Sequence, residues 1–208
     1  MSKFLKALPI CAALALMVPQ TLFAQTATET EEVKPQSGAA AEIESQLSLG
    51  EDADKDPELG KPYTREVIDA WELRCIKTEA EEDPCQMYQL LDDGQGAPVA
   101  EISLFRLPEG GKAEAGATIV VPLETSLPQQ LTIAVDGGKA RRYPYAFCNP
   151  VGCYARLGLT ADDVAAFKRG NEATITIIPA LAPDQQVRLA LSLKGFTASY
   201  DKVSVIEQ

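Results

Sequence analysis

The stretch from Cys148 to Cys153 limits the possible folds of this chain more than any other. The two cysteines enclose Asn149, Pro150 and Gly152, which are residues that favour tight turns. Aromatic and β-branched residues flank the stretch on both sides. The pattern predicts a strand, a turn closed by its own disulfide, and a second strand.

A second pair of cysteines, Cys75 and Cys85, lies earlier in the chain. Once the leader with Cys11 is removed, four cysteines remain, and an even number in an exported protein is typical of a disulfide framework. Four cysteines allow three connectivities. Because the members of each pair are close in sequence, we predict the disulfides Cys75–Cys85 and Cys148–Cys153.

Two other uses of the same cysteines are weighed against this pairing. A zinc site would need closer ligands than Cys75 and Cys85, which have nine residues between them. Thiol–disulfide exchange at Cys148 and Cys153 would depart from the two intervening residues that are usual in redox motifs. We therefore expect structural disulfides and no metal.

Residues 1–24 predict a secretory signal peptide. Lys3 and Lys6 precede a short apolar run, and Ala24 is the small residue at the expected cleavage site. Residues 25–62 are predicted to be a disordered linker, because they include ten acidic residues, three basic residues and no aromatic residue. Residues 63–208 are predicted to form one folded domain.

The charge of the chain excludes some partners. It has 19 basic and 30 acidic residues, a net charge of −11, and cleavage of the leader would remove two of the lysines. Such a surface repels phosphate backbones, so we expect no binding to nucleic acid. No later segment is apolar enough to cross a bilayer, which predicts a mature chain without a transmembrane segment, in the periplasm or outside the cell.

From Tyr63 onwards, short alternating runs separated by turn signals predict eight or nine strands. One helix is predicted after Thr160, with Asp163 completing a capping box and Gly170 closing the helix in a left-handed conformation. Its buried stripe is predicted to be Val164, Ala165 and Phe167. This pattern is typical of an all-β fold, an antiparallel β-sandwich with one short helix.

Two predicted strands carry particular residues. Val67–Ile76 is predicted as a single strand, with Trp71, Leu73 and Cys75 on its buried face. Phe196–Ile206 is predicted as the last strand, and the preceding Gly195 is expected at a bulge or a close backbone approach.

Five stretches of the sequence occur in the order found in the invasion-associated locus B family, which this chain resembles from about residue 67 to residue 205. They are Trp71-Glu-Leu-Arg-Cys75, Cys85-Gln-Met-Tyr-Gln, Leu131-Thr-Ile-Ala-Val-Asp136-Gly-Gly, Cys148-Asn-Pro-Val-Gly-Cys153-Tyr-Ala and Leu191-Ser-Leu-Lys-Gly195-Phe196. The resemblance implies an exported protein of Gram-negative bacteria with an immunoglobulin-like β-sandwich, in a family named for host-cell invasion. It brings no catalytic residue with it. The segment after Pro122 lacks the glycine usual in the family, and the acidic leader is particular to this chain.

Catalytic chemistry has little support in the sequence. The chain has no histidine, which excludes Ser-His-Asp and Cys-His arrangements and histidine metal sites. The acids Asp136, Asp162 and Asp163 fit roles in turns and caps. We expect no enzyme activity and no cofactor.

One local cluster of basic and aromatic residues is a candidate interaction surface. It consists of Arg141, Arg142, Tyr143 and Tyr145. Such a cluster suits an acidic protein partner. The function predicted from the sequence is therefore a non-enzymatic binding protein of the bacterial envelope. The alternative is a periplasmic thiol–disulfide or folding-assistance protein that uses Cys148 and Cys153.

Overall fold

The structure is a computed structural model that describes residues 47–48, 50, 56–94 and 96–206. The predicted signal peptide, 1–24, lies outside the described residues, as does most of the predicted linker, 25–62. The chain divides into two units at residue 52, and every helix and strand described below lies in the second, Ala53–Gln208.

The larger of two antiparallel sheets has seven strands in the order β1-β2-β3-β4-β5-β9-β8. Their bounds are β1 Pro62–Ile68, β2 Trp71–Ile76, β3 Cys85–Asp92, β4 Pro98–Arg106, β5 Ala115–Val121, β8 Tyr145–Asn149 and β9 Gly152–Leu159. Sequential strands pair as hairpins from β1 to β5, which is why the period-two patterns in the sequence are clear there.

The smaller sheet has four strands in the order β11-β10-β6-β7. Their bounds are β6 Leu131–Val135, β7 Arg141–Tyr143, β10 Glu172–Ile177 and β11 Val187–Ser192. The buried Gln89 of β3 connects the two sheets, because its side-chain amide donates to the Ser192 carbonyl (3.0 Å) and accepts from the Ser192 N–H (2.8 Å). The predicted antiparallel β-sandwich is confirmed.

The core lies between the sheets and is built by alternation. Trp71, Leu73 and Cys75 of β2 are each at most 1% exposed, as predicted for the buried face of this strand. Trp71 also meets the Phe196 ring edge to face, with 5.6 Å between the ring centroids. Trp71 is therefore part of the core, where its large apolar area stabilises the fold.

Helix α1, Ala161–Arg169, begins at the predicted capping box. Thr160 Oγ1 accepts from the Asp163 N–H (3.4 Å), and the Asp163 carboxylate accepts from the Thr160 N–H (2.9 Å). Val164 and Phe167 are buried, whereas Ala165 is half-buried. The left-handed conformation predicted for Gly170 is wrong, since its φ is −76°. A glycine fits there for another reason: a Cβ would lie 2.6 Å from Val135 Cγ1.

The structure corrects two predicted strands. The segment predicted as one strand over Val67–Ile76 turns at Asp69, whose φ is +53°, so it contributes to both β1 and β2. The strand predicted over Phe196–Ile206 is wrong: Phe196–Tyr200 form a short second helix, α2. Gly195 does make the predicted close approach, since a Cβ there would lie 2.6 Å from the Ile68 carbonyl oxygen.

Candidate interaction surface

The structure pairs the cysteines as Cys75–Cys85 and Cys148–Cys153. Each disulfide joins residues that lie directly opposite each other on neighbouring antiparallel strands, β2 with β3 and β8 with β9. Three of the four cysteines are at most 5% exposed, and Cys148 is exposed. The two disulfides therefore differ in how easily a soluble thiol can reach them.

The β8–β9 hairpin is shaped by more than its disulfide. The Asn149 side-chain oxygen accepts from the N–H of Val151 (2.9 Å) and of Gly152 (3.3 Å), which closes the turn. A Cβ at Gly152 would lie 2.5 Å from the Val121 carbonyl oxygen, so only glycine lets β9 pass so close to β5. The tip of the hairpin is thus held in place by residues inside the loop that the disulfide closes.

The buried disulfide lies next to a loop that is fixed by Asp83. This carboxylate accepts from the Tyr63 hydroxyl (2.7 Å), the Thr78 N–H (2.7 Å) and the Lys77 ammonium (3.3 Å). The hydrogen bond from Tyr63, followed by that from the Thr78 N–H, holds the pKa of Asp83 well below its usual range. The sequence shows this segment only as an acidic turn, and nothing in it singles out Asp83 among its acidic neighbours.

The predicted cluster of Arg141, Arg142, Tyr143 and Tyr145 is divided between the two sheets. Arg141–Tyr143 form β7 of the small sheet, and Tyr145 begins β8 of the large sheet after Pro144. Arg141 and Tyr143 lie opposite buried residues of β6, whereas Arg142 lies on the other face of the strand and is exposed. Arg142 is therefore the member of the cluster that is best placed to meet a partner.

A cleft of about 380 Å³ lies between the β6–β7 hairpin and α1. Arg141 lines it and pairs with Asp163 across 3.0 Å, which commits this arginine to the cap of α1. Lys139 and Arg169 also line the cleft, and neither forms an ion pair with another described residue. Burial, reinforced by the nearby Asp163, raises the pKa of Tyr143 above its usual value.

Tyr145 packs against the core and is not available to a partner at the surface. It lies opposite the buried Ala155, and its hydroxyl is buried without a hydrogen-bond partner among the described residues. Burial raises the pKa of Tyr145 to about 12, because the phenolate would lose its hydration.

A second aromatic pair, which the sequence did not reveal, lies on the outer face of the large sheet. Phe147 of β8 stacks on Tyr154 of β9, with 4.6 Å between ring centroids and 12° between ring planes. The Arg156 guanidinium lies 5.3 Å from the Phe147 ring centroid, a cation–π contact. This arrangement depends on the register of the β8–β9 hairpin, which places Phe147 opposite Tyr154.

These residues belong to a run of sequence without acids. No Asp or Glu occurs between Asp136 and Asp162, although the whole chain has 30 acidic residues. The cations in this run are Lys139, Arg141, Arg142 and Arg156. We call β7, β8 and the neighbouring Tyr154 and Arg156 of β9 the β7–β8 edge. This charge contrast is visible in the sequence once the whole run is read together.

Within the described ranges, no group of three or more His, Cys, Asp or Glu side chains is arranged to hold a metal ion. Nor is any helix in this part of the chain long and apolar enough to cross a membrane. Asp163 caps α1, and the Asp136 carboxylate accepts from the N–H groups of Asn171 (3.1 Å) and Glu172 (3.1 Å), so both acids have structural roles.

The family model for Invasion associated locus B proteins matches residues 71–204, well over half of the chain. The chain belongs to this family. Two similar proteins are invasion protein B homologs of Brucella abortus, one from strain 2308 and one from biovar 1 strain 9-941. Each is 26% identical over 147 residues, which is 71% of this chain and 83% of the relative. The resemblance found in the sequence is therefore confirmed.

The fold is also similar to a solved one. The crystal structure of invasion associated protein B from Bartonella henselae matches with a TM-score of 0.55 and 22% identity. The match covers 66% of this chain and 92% of the Bartonella chain. At this identity the comparison shows a shared fold, and the role of the β7–β8 edge has to be argued from the residues themselves.

Proposed function

We propose that this chain is an exported, non-enzymatic binding protein of the bacterial envelope, and that its β7–β8 edge binds an acidic polypeptide. Family membership and two disulfides support an oxidising compartment, where such bridges persist. The proposal includes cleavage of a signal peptide at residue 24, an acidic linker over 25–62 and a binding domain over 63–208. The relatives are named for invasion, and a binding surface is one component that such a process would require.

The main observation in support of this binding is that the β7–β8 edge is positively charged. A chain with a net charge of −11 repels acidic partners over most of its surface. At the β7–β8 edge, Arg142 and Arg156 are exposed, and neither forms an ion pair with a described acid. An acidic partner is therefore attracted to this edge and repelled elsewhere, which would set the orientation of binding.

The test uses a fluorescein-labelled peptide of alternating valine and glutamate as the probe. Fluorescence anisotropy would measure its affinity for the purified chain at low and high salt. Two exposed ion pairs are together worth about 0.4–2 kcal/mol, so Arg142→Glu combined with Arg156→Glu should weaken binding by about two- to thirtyfold.

A matched control is available on the opposite edge of the smaller sheet. Arg188 of β11 is also an exposed arginine in an edge strand, and Arg188→Glu should leave the affinity unchanged. High salt should weaken binding to the unaltered chain, because the contacts are exposed. Absence of binding at low salt, or an equal loss in the Arg188→Glu chain, would refute the proposal.

A second candidate function is thiol–disulfide exchange at the β8–β9 hairpin. It is favoured by the exposure of Cys148, which differs in this from the other three cysteines. An external thiolate would attack Cys148 Sγ, the Sγ–Sγ bond would break, and the Cys153 thiolate would leave. The buried position of Cys153 opposes this function, because a leaving thiolate would be poorly solvated there. Titration with glutathione, read by mass spectrometry, tests it: reduction only under strongly reducing conditions would exclude an exchange catalyst.

A further inference from the structure

The four edge strands of the two sheets differ in how they are protected. Edge strands present unpaired N–H and C=O groups, and proteins usually protect them with charged side chains. β1 carries Arg65 and Glu66, β7 carries Arg141 and Arg142, and β11 carries Arg188. β8, with the sequence Tyr-Ala-Phe-Cys-Asn, carries no charged residue. β8 is thus the edge strand that lacks this protection.

The backbone of β8 is available for further pairing. In an antiparallel ladder, only alternate residues exchange hydrogen bonds with the neighbouring strand, so the others direct their N–H and C=O groups to the free side. Within the described part of the chain, no backbone hydrogen bond outside the β8–β9 ladder involves residues 145–149. The residues from Ala146 to Val151 are all exposed. Nothing described here covers the free side of this strand.

The side chains beside β8 indicate what an added strand would contain. On the outer face, the exposed Phe147 offers an apolar contact, and Arg156 lies next to its ring. Arg142 lies three residues before the start of β8. A strand that pairs with β8 would place the side chains of its outer face beside Phe147 and Arg156, where a carboxylate can pair with Arg156 and its methylene groups can contact the Phe147 ring, and the end of that strand would lie near Arg142.

From these observations we infer that an extended acidic polypeptide segment binds by adding a strand to β8. This inference rests on the proposed function and specifies how the β7–β8 edge achieves it. Main-chain hydrogen bonds would supply affinity, and the neighbouring side chains would supply selectivity. A second copy of this chain is a poorer fit, because its own β7–β8 edge is uncharged or basic and brings no carboxylates to Arg142 and Arg156.

The experiment compares the valine–glutamate peptide with two N-methylated forms, one methylated on the valine nitrogens and the other on the glutamate nitrogens. Alternate residues of a bound strand direct their N–H groups towards β8, so one form should lose about tenfold or more in affinity and the other should bind nearly as well as the parent peptide. Amide hydrogen exchange of β8 in the purified chain should slow when the parent peptide is bound.

Three outcomes separate this inference from the proposed function. If both methylated peptides bind like the parent peptide and remain sensitive to Arg142→Glu, the edge captures acids without strand addition, and the inference is wrong. If the parent peptide does not bind at all, the proposed function fails with it. If the chain alone forms a dimer in sedimentation experiments that Phe147→Glu abolishes, the edge binds a second copy, and the inference is overturned.

Discussion

Replacing Phe196 by alanine should destabilise the domain more than almost any other single change. Phe196 is 1% exposed, and its ring contacts three other rings, with centroid distances of 5.6 Å to Trp71, 5.5 Å to Phe167 and 5.7 Å to Tyr200. A buried phenylalanine replaced by alanine typically costs about 3–5 kcal/mol. The ring pairs each contribute about 0.5–1.5 kcal/mol beyond burial, which favours the upper end, near 5 kcal/mol.

The assay is urea unfolding followed by circular dichroism and by the fluorescence of Trp71, the single tryptophan of the chain. Phe196→Leu keeps most of the apolar volume but loses the three ring pairs, so it should cost more than about 1.5 kcal/mol and clearly less than Phe196→Ala. Leu181→Ala, at a side chain that is 93% exposed, should change the free energy of unfolding by less than about 0.5 kcal/mol.

Phe196 joins α1, α2 and β2 through its contacts with Phe167, Tyr200 and Trp71. A loss below about 1 kcal/mol in the free energy of unfolding of Phe196→Ala would refute this packing role, because removal of a ring with these neighbours leaves a cavity in a packed core. Equal losses in Phe196→Ala and Phe196→Leu would also contradict it, since they would show that shape matters and volume does not.

Three further predictions concern buried or reactive groups. Tyr145→Phe should leave stability unchanged or raise it by about 1 kcal/mol in thermal unfolding, because the change removes a buried hydroxyl without a partner; a large loss would mean that the hydroxyl is bonded. Asp83 has a lowered pKa in the folded state, so its contribution is fully present above its unfolded pKa, begins to decline as the pH falls below about 4, and is lost only when the pH falls through the lowered folded pKa. Asp83→Asn should therefore destabilise the chain most at pH 7 and by a smaller amount at pH 3, and a pH-independent difference would contradict this. The disulfide of the β8–β9 hairpin should be reduced by dithiothreitol before the buried one between β2 and β3; mass spectrometry of alkylated peptides would show the reverse order if exposure did not decide.

The parts of the fold that follow local rules were predictable from the sequence. The buried face of β2 follows from the alternation of Trp71, Leu73 and Cys75, and the start of α1 follows from Thr160 and Asp163. Each of these patterns depends on neighbours within a few residues, so no distant contact can override it easily.

Other parts depend on distant contacts. The turn at Asp69 contains no glycine, proline or asparagine, so two strands appeared as one. Phe196–Tyr200 has the aromatic and β-branched residues of a strand, yet the ring cluster around Phe196 favours a helix there, so tertiary packing prevails over propensity.

The candidate surface also has features that were predictable from the sequence and features that were not. The sequence placed Arg141 and Arg142 in one cluster, and strand alternation puts them on opposite faces of β7. Phe147 and Arg156 are brought together by the β8–β9 register. The sequence predicted the turn between these two strands, but not which side chains would be in contact across them. The unprotected edge of β8 follows from the sheet order, which cannot be read from a single sequence.

The most direct test of acidic-peptide binding at the β7–β8 edge is a map of backbone amide chemical-shift changes in the isotope-labelled chain as the valine–glutamate peptide is added. The largest changes should fall in β7, β8 and the neighbouring residues of β9 around Tyr154 and Arg156, and they should diminish as salt is added. Changes concentrated along β11, or beside the Cys75–Cys85 disulfide, would show that the peptide binds elsewhere and not at the β7–β8 edge.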